Sequence, residues 1–122
     1  MTGETLLAAA EDAICAWLAA HGVAPEPGQV EGYRLLALHR QAARVAPNFL
    51  ACRETCRELI YQINCASVAA DATEHARRLR LADIAGTHLA LFVAGSLETA
   101  GLGTFCCAAR PLHTPDAAQP RS

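Results

Sequence analysis

The chain has 122 residues, enough for one compact domain and too few for two separate hydrophobic cores. Hydrophobic residues make up 52% of it and charged residues 18%, which excludes global disorder, and the abundance of alanine and leucine favours helices. The formal net charge is −2 and all ten basic residues are arginine, so the composition argues against nucleic-acid binding, which needs a basic surface.

The first two predicted helices are amphipathic. One runs from about residue 5 to residue 21, and Gly22 with the prolines that follow it places a loop after it. The other runs from near residue 28 to residue 45, and Pro47 ends it, because the residue before a proline leaves the helical region. Apolar residues recur at three- and four-residue steps along both, namely Leu6, Ala10, Ile14, Trp17 and Leu18, then Leu35, Leu38, Ala42 and Val45.

The third and fourth predicted helices have longer apolar seams. We expect the third from Pro47 to about residue 71, and the fourth from about residue 73 to residue 100. The fourth has a row of small residues every four positions and no charge from Ile84 to Leu97, so its apolar face is wider than one neighbouring helix covers. The two seams are Phe49, Cys52, Cys56, Leu59, Ile63, Ala66 and Ala70, then Leu79, Ala82, Gly86, Leu89, Val93 and Ala100.

Together these segments predict an all-α fold, an antiparallel four-helix bundle with short loops. The predicted helical bundle domain covers residues 1–104. Residues 105–122 contain an adjacent cysteine pair, prolines and polar terminal residues, and we predict that they form a Cys-Cys segment followed by a flexible C-terminal tail.

The compartment decides how the six cysteines are interpreted. Residues 1–20 have no positive start, and Glu4, Glu11 and Asp12 interrupt their apolar stretch, which differs from a secretory signal. The uncharged run in the fourth helix is too short for a bilayer, which takes about 20 residues. We therefore expect a cytoplasmic protein without a membrane span, whose reduced cysteines indicate metal binding or thiol chemistry.

Cys52 and Cys56 lie one turn apart on the same face of the third predicted helix. Two thiolates at that spacing are within reach of one soft ion, and thiolates select Cu(I) or Zn(II) over hard cations. The spacing differs from the Cys-x-x-Cys of disulfide oxidoreductases and from the tight ligand pairs of zinc knuckles. The alternative is that both residues are core, since cysteine packs as a small buried hydrophobe.

Three further residues are candidate metal ligands. His88 interrupts the charge-free run of the fourth helix, where a buried imidazole needs a partner: a backbone carbonyl, the neighbourhood of Glu98, or a metal held with the third helix's cysteines. Cys106 and Cys107 are adjacent and can hold one soft metal or form a strained, easily reduced bridge. We expect His39 and His75, which lie near arginines, on solvent-exposed faces.

Two short stretches resemble metal-handling helical families. Cys52-Arg-Glu-Thr-Cys56 resembles the Cys-x-x-x-Cys pairs of the cytosolic copper-storage four-helix bundles, which implies Cu(I) held inside a bundle. That family repeats the pair on several helices, whereas the predicted helices here carry it once, which implies one or a few ions. The stretch Cys56-Arg-Glu-Leu-Ile-Tyr-Gln-Ile63 is similar to the second-helix motif of the all-helical copper-, nickel- and formaldehyde-sensing repressors, whose next-helix histidine would correspond to His88.

Two functional hypotheses follow. In the first, the chain is a small cytoplasmic bundle that binds a soft metal, Cu(I) before Zn(II), or senses thiol-reactive species through Cys52 and Cys56. In the second, it is a non-catalytic adaptor, chaperone or subunit that forms a homo-oligomer or docks a protein partner through helix 73–100, and its cysteines are core packing. Standard catalytic signatures are absent from the sequence, so an enzyme with Cys106 or Cys107 as its nucleophile is the least supported class.

Overall fold

The computed structural model describes residues 1–102, and this part of the chain is all-α. The predicted fold class is therefore confirmed for the described residues, whereas the predicted Cys-Cys segment and tail lie outside them. The elements are α1 (Gly3–Ala20), α2 (Arg34–Val45), a 3₁₀ segment (Pro47–Cys52), α3 (Arg53–Ser67) and α4 (Ala72–Thr99).

Side-chain caps set the starts of α1 and α4. The Thr2 hydroxyl accepts a hydrogen bond from the backbone N–H of Thr5 at 3.1 Å, and the Thr5 hydroxyl in turn accepts from the Thr2 N–H. The Asp71 carboxylate accepts from the backbone N–H of Glu74 at 2.8 Å. These contacts satisfy amide groups that have no partner within a helix's first turn. Both helices consequently begin close to their predicted starts.

The second helix starts later than predicted, at Arg34 rather than near residue 28. Before it, Val30 and Tyr33 exchange backbone hydrogen bonds of 3.0 and 2.9 Å and close a tight turn. Glu31 and Gly32 at its centre have φ of 55° and 85°, the left-handed pair of a type I′ turn. A right-handed helix cannot continue through such a pair, so the prediction of helix from residue 28 is wrong.

The third predicted helix is two elements. Pro47 opens it as expected, but residues 47–52 form 3₁₀ turns, and regular α-helix runs only from Arg53 to Ser67. Tight 3₁₀ turns are common at helix starts. The helix ends before the predicted residue 71, and Cys52 lies at the junction between the two helical geometries.

The core is built around Trp17 and Phe49. Their ring centroids lie 4.6 Å apart, and Phe92 of α4 meets Phe49 edge-on at 5.4 Å. The indole Nε1 of Trp17 donates to the Ser96 hydroxyl at 2.9 Å, which ties α1 to α4. Most of the predicted seam positions are buried, among them Ala10, Ile14, Leu18, Leu35, Leu38, Ala42, Cys52, Cys56, Leu59, Ala82, Leu89 and Val93.

Helices α3 and α4 pack in opposite directions. Near the connection between them, the His75 ring Nδ1 lies 2.8 Å from the Ala66 carbonyl oxygen. One turn further, Arg78 Nη1 donates to the Gln62 side-chain oxygen at 3.1 Å. The partners move backwards along α3 as they move forwards along α4, so this pair is an antiparallel hairpin.

Helices α1 and α2 run in the same direction. Arg34 at the start of α2 lies 4.0 Å from the Glu11 carboxylate, and Gln41 near its end donates to the Ala24 carbonyl just beyond α1. Residues 21–33 therefore carry the chain back before α2 begins. The contacts support antiparallel packing for α3 with α4, but not for α1 with α2.

The outer face of α4 is apolar. Ile84 and Leu91 are 51% and 65% exposed, in the segment of the sequence that carries no charge from residue 84 to residue 97. Among residues 1–102, none of the helices combines the length and the hydropathy that crossing a membrane requires.

Candidate thiol site

The structure buries Cys52 and Cys56 next to each other in the core. Cys52 ends the 3₁₀ segment and is 2% exposed, and Cys56 in the first part of α3 is fully buried. The two side chains are neighbours, one helical turn apart and close enough for each to shift the pKa of the other. The sequence spacing therefore identified two thiols that meet in space, whereas their use as a metal site stays a prediction.

A buried histidine from α2 joins this pair. When it carries its proton, the Cys52 thiol donates to the Phe49 carbonyl oxygen at 3.3 Å, and Nε2 of His39 lies 3.1 Å from the same oxygen. Because a carbonyl oxygen only accepts, Nε2 carries a proton in this contact. The prediction of a surface His39 is wrong, since its position on α2 follows the buried face of Leu35 and Ala42.

The pKa values of the two thiols are shifted in opposite directions. A hydrogen bond from the Cys56 thiol, with the hydrogen bond and charge of His39, lowers the pKa of Cys52 to about 6 although burial opposes this. The same hydrogen bond, together with burial and the neighbouring thiolate charge, raises the pKa of Cys56 far above its usual value. The pair therefore titrates as one unit that holds a single thiolate and a single thiol near neutral pH.

His88 lies on the exposed side of α4. It lines a surface groove of about 780 Å³ with Tyr61, Ile84 and Glu58, while the thiols are in the core. The prediction that its imidazole is buried is wrong, because the charge-free run around it includes exposed apolar residues and therefore does not report burial. Within residues 1–102, no three His, Cys, Asp or Glu side chains gather into a metal-binding group.

The other cysteines stand apart from the Cys52–Cys56 pair. Cys15 is half-buried on α1, and Arg34 Nη1 lies 3.8 Å from its sulfur. Cys65 is half-buried near the end of α3. The candidate ligands Cys106 and Cys107 lie outside the described residues.

Comparisons with family models, with curated proteins and with solved structures find nothing that matches this chain. The buried thiol pair and its histidine are therefore the observations from which a function is inferred.

Proposed function

We propose that the chain is a helical bundle that binds one Cu(I) ion through Cys52 and Cys56, in a reducing compartment such as the cytoplasm. The observation that supports this most directly is the burial of two cysteines one helical turn apart, where Cys56 and His39 lower the pKa of Cys52 to about 6. The thiolate is the form of cysteine that binds metal, and it is present here without any change in the surrounding fold. An arriving ion then has to displace only the Cys56 proton.

The donor set favours Cu(I) over Zn(II). Structural zinc takes four protein ligands as a rule and catalytic zinc three, whereas the described residues offer one pair of sulfurs and no group of three ligands. Soft thiolates in small number suit Cu(I). Cys106 and Cys107 remain proposed further ligands for a larger site.

His39, and not His88, is the histidine beside the thiol pair. Its ring lies beside Cys52, and its charge and hydrogen bond favour the Cys52 thiolate. It is thus a positioning residue, because it acts on the metal through the sulfur. We expect His39→Gln to weaken Cu(I) binding about tenfold, the usual size of an outer-shell effect.

The test is an anaerobic Cu(I) titration of the reduced full-length chain against a competing chelator, with Zn(II) in parallel. We expect one equivalent to bind, and Cys52→Ala/Cys56→Ala to lose affinity by more than about 100-fold, because both sulfurs are removed. The matched control is Cys15→Ala/Cys65→Ala, which removes two thiols elsewhere and should bind like the wild type. A Cys106→Ala/Cys107→Ala variant reports whether those residues add ligands.

Three results would reject the proposal. The first is a wild-type affinity no tighter than that of a generic thiol, and the second is equal loss in both double variants. The third is tight Zn(II) binding with weak Cu(I) binding. Circular dichroism of each variant shows that it is folded, and if the double alanine variant is unfolded, Cys56→Ser with Cys52 retained makes the same comparison with less loss of volume.

A second candidate function is self-association through the outer face of α4. Ile84 and Leu91 are largely exposed there, and the adjacent small residues Ala90 and Ala94 let another backbone approach closely. A second copy of this chain is the occupant we propose, because a face without charge is complementary to itself about a two-fold axis.

A further inference from the structure

A small cleft lined by arginines lies between α2 and the start of α3. Its volume is about 270 Å³, and four of the ten lining residues are arginines while one is a carboxylate, Glu31. The chain as a whole carries a formal charge of −2, so positive charge is concentrated here against the overall balance. The arginines are Arg40 and Arg44 from α2, and Arg53 and Arg57 from α3.

The Glu31 carboxylate occupies the middle of these positive charges. Arg57 donates to both of its oxygens, at 2.9 and 3.3 Å, in the two-pronged geometry that guanidinium groups make with oxyanions. This hydrogen bonding and the charge of Arg57, followed by the charges of Arg53 and Arg40, lower the pKa of Glu31. Arg57 therefore binds the Glu31 carboxylate directly, and Arg40 and Arg53 line the same cleft.

The backbone holds Glu31 there at a cost. Its φ of 55° is left-handed, and it is the one such non-glycine residue among residues 1–102. Type I′ turns normally place Asn, Asp or Gly at this position, since a longer side chain is strained. Strained residues of this kind concentrate at ligand sites and switch segments.

Two of the arginines form exposed ion pairs with carboxylates outside the cleft. Arg44 pairs with Glu26 and Arg53 with Glu54, but both of these carboxylates are more than half exposed and lie outside the cleft. Exposed ion pairs contribute little to stability, so a ligand can exchange with them. Arg40 makes no ion pair within the described part of the chain, so its charge is available to the cleft.

We propose that the cleft formed by Arg40, Arg53 and Arg57 binds a small doubly charged oxyanion, and that the Glu31 carboxylate fills this site until such a ligand displaces it. A second negative charge gives the ligand its advantage over Glu31, and displacement frees the turn at residues 30–33 from its left-handed glutamate contact. The cleft is smaller than the sites of drug-sized ligands, which suits a phosphate group or a short dicarboxylate.

The test is a calorimetric titration of the full-length chain at pH 8 and low salt, with inorganic phosphate and succinate as separate probes. We expect saturable 1:1 binding of at least one probe that weakens as salt is added, because exposed charges are screened. The tighter probe identifies whether the ligand is of the phosphate or of the dicarboxylate class.

Two sets of variants locate the site. Glu31→Gln should tighten binding about tenfold, because it removes the internal competitor, while Asp83→Asn removes an equal charge on α4, away from the cleft, and should change affinity less than about threefold. Arg57→Gln and Arg40→Gln should each weaken binding at least about tenfold, whereas the exposed Arg80→Gln of α4 should bind like the wild type.

The proposal is overturned by any of three outcomes: no saturable binding of either probe even to Glu31→Gln, equal effects of Glu31→Gln and Asp83→Asn, or equal effects of Arg57→Gln and Arg80→Gln. All of these side chains are on the surface, so the variants should fold, and thermal unfolding confirms that they do. None of the variants alters Cys52, Cys56 or His39, so the Cu(I) site is tested separately from the cleft.

Discussion

Cys52 and Cys56 share one negative charge because they are buried in contact. Two thiolates at this distance would repel each other in a medium that screens charge poorly, so the second proton stays bound. His39 decides which sulfur is charged, since its ring lies beside Cys52. A metal ion or an electrophile would therefore meet the sulfur of Cys52 first, with Cys56 following as its proton leaves.

The pH dependence of stability should report this shared charge. Between pH 6 and 9, folded Cys52 has lost the proton that it keeps in the unfolded chain, where its pKa is near 9.0, so the unfolded state binds more protons and stability rises with pH. Above pH 9 the unfolded chain ionises both thiols while folded Cys56 stays protonated, so stability falls. A pKa lowered from 9.0 to about 6 corresponds to a rise of up to about 4 kcal/mol.

Urea unfolding of the reduced chain at a series of pH values measures this effect. The difference between the wild type and Cys52→Ala isolates the contribution of the pair from that of other titrating groups. Cys65→Ala is the control and should keep the wild-type profile. A wild-type curve parallel to that of Cys52→Ala from pH 6 to 9 would show that Cys52 is an ordinary buried thiol.

Half of this site could be predicted from the sequence. Helical spacing alone places Cys52 and Cys56 on one face, and the structure agrees. Helical spacing also indicates that His39 is buried, because it lies four residues after the buried Leu35, but its neighbouring arginines favour a solvent-exposed position. An arginine at the edge of a buried face can still reach solvent with its guanidinium group, so an arginine in the sequence does not show that the residues beside it are exposed.

At the scale of the element, α4 is the helix whose start is best defined. Asp71 caps it, and Glu74 in its first turn accepts hydrogen bonds from Arg77 and Arg78 at 2.8 to 3.0 Å. These arginines lower the pKa of Glu74 to about 2, so its charge persists over the whole neutral and mildly acidic range. Negative charge in a first turn also complements the helix dipole.

We expect Asp71→Ala to lower the free energy of unfolding by about 1 kcal/mol, because the backbone N–H of Glu74 loses its acceptor. Chemical denaturation with an unchanged slope is the measurement. Asp12→Ala is the matched control, an exposed aspartate in the interior of α1 that caps nothing, and it should change stability by less than about 0.5 kcal/mol. Equal losses in the two variants would contradict the assignment of the cap.

Helix ranges could be predicted where both a stripe and a cap are present, as in α1 and α4. The start of α2 could not, because apolar Val30 and Tyr33 extend the stripe backwards through a turn. Gly32 is the residue of this turn that indicates it in the sequence. Glu31 beside it has a left-handed backbone, a position where glycine, asparagine or aspartate is usual. The 3₁₀ geometry of residues 47–52 could not be predicted either, because no residue type or apolar spacing distinguishes a short 3₁₀ segment from the first turns of an α-helix.

At the scale of the whole molecule, the exposed face of α4 is the largest departure from an ordinary surface. If it joins two copies, Leu91→Glu should place repelled charges at the contact and shift the chain to monomer, by sedimentation velocity across a range of concentrations. Leu50→Glu is the control, since Leu50 is as exposed as Ile84 but lies on the 3₁₀ segment, in the arginine-lined cleft. A wild type that stays monomeric at every concentration would reject self-association.

The contact between Trp17 and Ser96 allows the fluorescence of Trp17 to follow folding. Trp17 is the only tryptophan, and 79 residues separate it from its hydrogen-bond partner. Contacts of such long sequence separation form only after the entropy of closing a large loop has been overcome, whereas the α3–α4 hairpin is local. Tryptophan emission during refolding therefore reports the moment when the first and last helices of the described region meet.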